Sequence, residues 1–163
     1  MLTLPSIVER PAVPFLALRR NVALPFDDEI PEIMDELFSA LRACHASPAG
    51  PVFFKHNIVD MPALEMDFGV PVDSPPPAAG PLEAGILPAG RYAEITYLGA
   101  YDDLVTVNGV LIAWALRAGL VFDSVRKSDG EHFASRLEIY HNGLEEEADP
   151  SNWKTTVSIK LKD

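Results

Sequence analysis

Pro25–Ala43, PFDDEIPEIMDELFSALRA, and Ala100–Ala118, AYDDLVTVNGVLIAWALRA, are the stretches on which the fold turns. Both open on an aromatic residue and two aspartates, Phe26-Asp27-Asp28 and Tyr101-Asp102-Asp103, and both close on Leu-Arg-Ala at 41–43 and 116–118. One offset, 101 − 26 = 116 − 41 = 75, serves both ends. In the first stretch Ile30, Ile33, Met34, Leu37, Phe38 and Leu41 recur at helical spacing, Pro31 suits a first turn, and Asp27 and Asp28 sit near the positive helix end. The second predicts a helix over roughly Asp102 to Ala118 that buries Leu104, Val107, Leu111 and either Trp114 or Ala115. Asn108-Gly109 is its weak point, costing about 1 kcal/mol relative to alanine, and Gly109 is expected to admit another backbone.

The likeness extends outward from the helices. His56-Asn57 answers His141-Asn142 (141 − 56 = 85), and MDFGVPV from Met66 parallels TTVSIKL from Thr155 (155 − 66 = 89). Offsets that grow only between elements fit insertions in loops. Upstream, ERPAVPFLALRR and ILPAGRYAEITY each read as a Pro-Ala turn followed by a strand. Between the copies VDSPPPAAGPLEAG, with four prolines and two glycines, reads as a linker. The expectation is a single α+β domain of two pseudo-repeats, about 1–73 and 82–163, joined by a Pro-rich linker at 74–81. Each repeat runs strand, helix, strand, strand. Together they form one antiparallel sheet with both helices on one face and a ligand groove on the other.

The chain has 163 residues, 48% of them hydrophobic, enough for a full core in one domain. A net charge of -11 argues against wrapping a phosphate backbone, which needs clustered Lys and Arg. The single Cys44 excludes an intrachain disulfide. MLTLPSIVERPAVPF lacks the basic start and long apolar run of a signal peptide, and no apolar run reaches the roughly 20 residues of a membrane span, so a cytoplasmic protein is expected. His45, His56, His132 and His141 show no metal-site spacing, and Cys44 beside His45 does not face it on a helix. Neither a metal nor a cofactor is expected. Glu145-Glu146-Glu147 reads as a solvated loop.

Phe133–Gly143, FASRLEIYHNG, reads as a strand with a carboxylate at its centre. By parity Phe133, Ser135, Leu137 and Ile139 face one way, and Arg136, Glu138 and Tyr140 the other. Glu138 is then either one partner of a solvated same-face pair with Arg136, worth about 0–1 kcal/mol, or part of a cavity lining. Tyr92 and Tyr140 fit ordinary sheet positions, Trp114 fits a core, and Trp153 fits either role.

Taken in order, LPAGRYAEITYLGAYDDLVTVNGVLIAWA, RLEIYHNG and DPSNWKTTVSIKL, with GPVFFKHNIVDMPALEMDFGVPV upstream, resemble the GyrI-like small-molecule-binding family, which also supplies effector domains of transcription regulators. The resemblance covers nearly the whole chain and implies a duplicated strand-helix-strand-strand fold. It also places a Glu, in a Glu-x-Tyr motif, at the floor of an aromatic cavity between the halves. The matching residues are Glu138 and Tyr140, with Tyr92 and Trp153 at family-like positions. The repeat offset adds Phe53 as the counterpart of Glu138 (138 − 85 = 53) and pairs Lys55 with Tyr140; Trp114 completes the candidate set. Thr155-Thr156-Val157 replaces the relatives' Thr-Glu-Val, and HNGLEEEADP lengthens the stretch before Asp-Pro, which alters one rim.

The resemblance implies a protein that binds apolar or cationic small molecules; with the acidic charge and no basic helical segment to read DNA, a stand-alone protein, monomer or dimer, that does not bind nucleic acid directly is expected. A desolvated carboxylate among aromatic faces suits lipophilic cations. Some relatives hydrolyse cyclopropanoid electrophiles, for which Glu138 and Tyr140 would be base and acid. The family name also implies contact with DNA gyrase, for which the residues locate no surface.

Overall fold

The computed structural model describes residues 1–77, 79–143 and 146–163. Ala78, inside the expected linker, and Leu144 and Glu145, the latter part of the acidic run, lie outside the described residues. The elements run β1 (Ser6–Arg10), β2 (Val13–Ala23), α1 (Ile30–Ala43), β3 (Phe53–Asp60), β4 (Ala63–Pro71), β5 (Glu83–Leu87), β6 (Gly90–Leu98), α2 (Leu104–Arg117), β7 (Ser124–Lys127), β8 (Gly130–Phe133), β9 (Arg136–Tyr140) and β10 (Lys154–Lys160). This is an α+β fold.

All strand pairings are antiparallel, and the described sheet has the order β1-β6-β10-β9-β3-β4-β2-β5, with the β7–β8 hairpin joined to β3. That order forces a curl. β1 and β2 are six strand spacings apart, about 29 Å in a flat sheet, yet only Pro11 and Ala12 separate them. Three peptide steps reach about 11 Å at most. Pro88 and Ala89 impose the same closure on β5 and β6. The two Pro-Ala turns of the sequence are therefore the corners that draw the sheet's ends together.

Helix α1 has Pro31 in its first turn and buries Ile33, Leu37, Ala40 and Leu41 against Leu16, Leu18, Phe54, Phe68 and Val70. Helix α2 buries Leu104, Val107, Leu111 and Ala115, its Val107 and Leu111 packing on Ala93, Ile95, Val157 and Ile159. Trp114 is half-buried beside that cluster, and Ala115 takes the core position. The registers Phe54↔Glu138, Glu138↔Val157 and Val157↔Ile95 set these residues on one sheet face, since cross-strand partners point the same way. The other face, inside the curl, holds Phe15, Ala17, Phe53, Leu87, Leu137 and Ile139.

Two expectations need correction. Gly109 meets no backbone: a Cβ built there finds nothing within 4 Å. Phe133–Gly143 is not one strand. The ladder breaks at Ala134 and Ser135, where Ala134 N–H donates to Asp123 O and Ser135 O accepts from Lys160 N–H. The break reverses parity, so Phe133 packs with the α2 cluster and beneath the Arg136 guanidinium rather than with Leu137.

Candidate functional site

β9 is flanked by β3 and β10, so both of its edges are paired, and its residues are buried or half-buried on both faces. A carboxylate placed there loses water on every side. The Glu138 side chain is 13% exposed. Its Oε2 accepts a hydrogen bond from the Tyr140 hydroxyl at 3.1 Å, and its Oε1 lies 3.4 Å from His56 Nε2. Arg136, on the same face, is itself buried. Its guanidinium lies 5.0 Å from the Phe133 ring centre and donates to Asn108 Oδ1 of α2 at 3.4 Å, while its Nε has no partner among the described residues. No ion pair joins Arg136 to Glu138, so the solvated same-face pair does not form.

Burial fixes the protonation pattern. It pushes the Glu138 carboxyl above the usual carboxylate range, against the opposing pull of the Tyr140 hydrogen bond and the Arg136 charge. Burial, aided by the Arg136 charge, pushes His56 down to about 3 and keeps it neutral. Tyr140 is raised well above its ordinary value by burial and by Glu138, so its hydroxyl remains a donor.

Aromatic rings continue from the carboxylate in both directions. Tyr140 packs on Phe54 at 4.6 Å and receives Tyr101 edge-on at 5.3 Å, and Tyr101 stacks on Trp153 at 4.4 Å. On the other side Phe54 contacts Phe68 at 4.7 Å, and Phe68 contacts Phe26 at 6.1 Å. The outer rings are held by their polar atoms: Trp153 Nε1 donates to Glu147 O at 2.8 Å and the Tyr101 hydroxyl to Asn142 O at 3.3 Å. The result is a neutral His, a desolvated carboxyl and a run of π-faces between the residues that carry α1 and those that carry α2. Among the described residues no three His, Cys, Asp or Glu side chains converge as a metal site requires.

Of the expected site residues, the structure brings together Glu138, Tyr140 and Trp153. Trp114 packs on the α2 cluster. Phe53 and Tyr92 point into the curl, away from Glu138, and line a cavity of about 240 Å³ there. A groove opposite the helices with Glu138 at its floor is therefore excluded, because Glu138 occupies the helix-bearing face. The reason for the Phe53 error is a slip of one residue: the register sets Phe54, not Phe53, opposite Glu138, and one residue reverses the face of a strand. Lys55 likewise faces into the curl, opposite Leu137 and Asp67, and does not match Tyr140.

Sequence reasoning missed Phe54, His56 and Tyr101 as site members. Tyr101 carried a signal: Phe26 and Tyr101 open the matched Asp-Asp motifs, and both rings end on this aromatic run.

No curated protein sequence matches the chain. Among solved structures, the EcmrR C-terminal domain is similar at 14% identity with a TM-score of 0.75, the match covering 98% of each chain. The chain spans 57% of the EcmrR chain seen in its complex with DNA. SAV2435 bound to tetraphenylphosphonium is similar at 7% identity and a TM-score of 0.65, over 98% of this chain and 94% of that one. A hydrolase from Listeria innocua is similar at 13% identity and a TM-score of 0.63, over 97% and 91%. These likenesses establish the fold. The family model for the GyrI-like small molecule binding domain matches residues 4–162, and the chain belongs to that family.

Proposed function

We propose that this domain binds lipophilic cations on the helix-bearing face, with Glu138 as counter-charge and Tyr140, Tyr101, Trp153 and Phe54 as π-faces. One observation carries the proposal. Glu138 is a nearly buried carboxylate whose neighbours among the described residues are the Tyr140 hydroxyl and the neutral His56, with no ion-pair partner, at the centre of an aromatic run. An incoming cation supplies the charge partner the site lacks, and each ring face adds about 0.5–2 kcal/mol. SAV2435, of similar fold, has been solved with a phosphonium cation bound, which supports this choice of ligand class.

The site belongs to a chain read as two units, about 1–73 and 82–163, linked by 74–81. Support comes from the strand order: β6-β10-β9 followed by β3-β4-β2 is the same sequence of roles run outward from the centre. The binding groove then lies where the units meet on the helix side, not opposite the helices.

Titration with methyltriphenylphosphonium and with neutral triphenylphosphine oxide, on the native protein and on Glu138→Gln, tests the proposal. The cation should lose affinity in the variant and the oxide should not. Equal losses would remove Glu138 from the role of counter-charge.

A second activity has its own observation. The Tyr140 hydroxyl and the Glu138 carboxyl lie 3.1 Å apart in a desolvated site, an arrangement suited to adding water to a strained cyclopropanoid electrophile. In its ionised form Glu138 would take a proton from the attacking water. The Tyr140 hydroxyl would donate to the opening ring. Turnover of such a compound by the native protein and its loss in Glu138→Gln would establish this activity, whereas saturable binding without product would rule it out.

A further inference from the structure

The curl of the sheet encloses a space that the cation site does not use. Beside the Pro11 corner, with its mouth edged by Pro51 and Pro71, lies a cavity of about 240 Å³. Val13 and Leu87, cross-strand partners at one end of the sheet, and Arg10 and Tyr92 at the other line it, and Phe53, Leu137 and Ile139 form its floor. Its polar rim is of one kind. Arg10 stands at the edge with Nε bonded to Glu94, and its two terminal nitrogens make no hydrogen bond among the described residues. Glu94 accepts both from Arg10 and from the Ser158 hydroxyl, at 2.6 Å, on the one oxygen Oε2, and no carboxylate is among the described residues that line the cavity. Tyr92 is capped by Pro88 O at 2.6 Å, and His141 is tied to Thr156 and held neutral by burial.

We infer that this cavity is a second binding site, for a small hydrophobic monocarboxylate, its ring body against Phe53, Leu137 and Ile139 and its carboxylate on the terminal edge of Arg10. Size sets the body. A dry apolar cavity of about 150 Å³ holds benzene, so this one takes a fused two-ring molecule. Charge sets the head group, because a planar guanidinium edge receives a carboxylate through two parallel hydrogen bonds. A cation would meet the guanidinium edge of Arg10 and, along the cavity lining, no carboxylate to receive it. The two sites are thus chemically opposite and share β9, whose Glu138 and Tyr140 face one and whose Leu137 and Ile139 face the other.

The probes are 2-naphthoate, 2-naphthalenemethanol and 2-naphthylmethylammonium, titrated into the whole chain while the methyl resonances of Leu87 and Leu137 are followed. The expected order is carboxylate, then alcohol, then ammonium, with both methyls shifting. Val13→Trp, which fills the mouth from a half-buried position, should weaken 2-naphthoate about tenfold. Glu138→Gln should change it by less than about twofold, because residue 138 points to the face of β9 opposite the cavity and the substitution keeps its shape. Should Val13→Trp perturb folding, the methyl shifts of the unaltered protein still decide the matter. Failure of 2-naphthoate to shift either methyl would overturn the site, and equal affinity for the alcohol would overturn the role of Arg10. A loss on Glu138→Gln as large as that on Val13→Trp would return the ligand to the helix-bearing face.

Discussion

At the scale of single residues, the carboxyl of Glu138 and the imidazole of His56 answer pH in opposite senses. His56 is held at about 3 in the folded chain but takes a proton near its ordinary value of about 6.5 once unfolded. The unfolded state therefore binds more protons between those values, and stability falls as pH drops through that window. Glu138, raised in the folded state, works the other way: protonation above the ordinary carboxylate range favours the fold, and stability falls as pH rises through its folded value. Urea midpoints at pH 7 and pH 4.5 should show an acid loss in the native protein that shrinks in His56→Gln. An unchanged loss would assign the acid sensitivity elsewhere. Cation affinity should climb with pH as Glu138 ionises, and Glu138→Gln should flatten that climb while costing roughly 1.5–3 kcal/mol of cation binding. The carboxylate and its tyrosine were legible in the sequence because Glu-x-Tyr is a local motif. Their aromatic neighbours come from β3 and from the turns before α2 and β10, and only the ladder register sets them in place.

Among the elements, two glycines that look alike in sequence predict opposite outcomes. Gly69 lies in β4, where an added Cβ would stand 2.6 Å from Leu16 O and 2.7 Å from Ala17 Cβ of β2. Gly69→Ala should therefore push β2 and β4 apart and cost about 1–3 kcal/mol. Gly109, inside α2, has open space where its Cβ would be. Gly109→Ala should raise stability by up to about 1 kcal/mol through helix propensity alone. Thermal unfolding of both variants checks the pair, and a gain at Gly69 or a loss at Gly109 would contradict the packing. Helices were readable because α1 and α2 each carry a periodic apolar stripe. The strands β1, β5, β7 and β8 were not, being only four or five residues long, β1, β5 and β7 at edges and largely exposed and β8 half-buried without alternation.

For the molecule as a whole, charge and curvature dominate. With a net charge of -11, the isolated chain should show no tight, salt-sensitive retardation of duplex DNA in a gel shift. A retarded band that weakens with salt would show that local basic surface outweighs the total. None of the described helices is long and apolar enough to cross a membrane. The matched Asp-Asp and Leu-Arg-Ala motifs were visible in the sequence, and they bracket α1 and α2. The curl was not, because it follows from which strands are neighbours, and six strand spacings bridged by Pro11-Ala12 become informative only once the order is known.

The stack of Trp153 on Tyr101 gives the protein its own optical readout. Only two contacts, Tyr101 on Trp153 and Tyr101 on Tyr140, separate the indole from the ring that donates to Glu138. The chain has two tryptophans, and the other, Trp114, sits on α2 away from that run. A ligand that parts Tyr101 from Tyr140 changes the environment of one fluorophore and leaves the other as an internal standard. In Trp114→Phe the emission that remains comes from Trp153 alone, so a shift in its maximum on adding a phosphonium reports occupancy of the helix-bearing face without a label, and 2-naphthoate bound inside the curl should leave that maximum where it was.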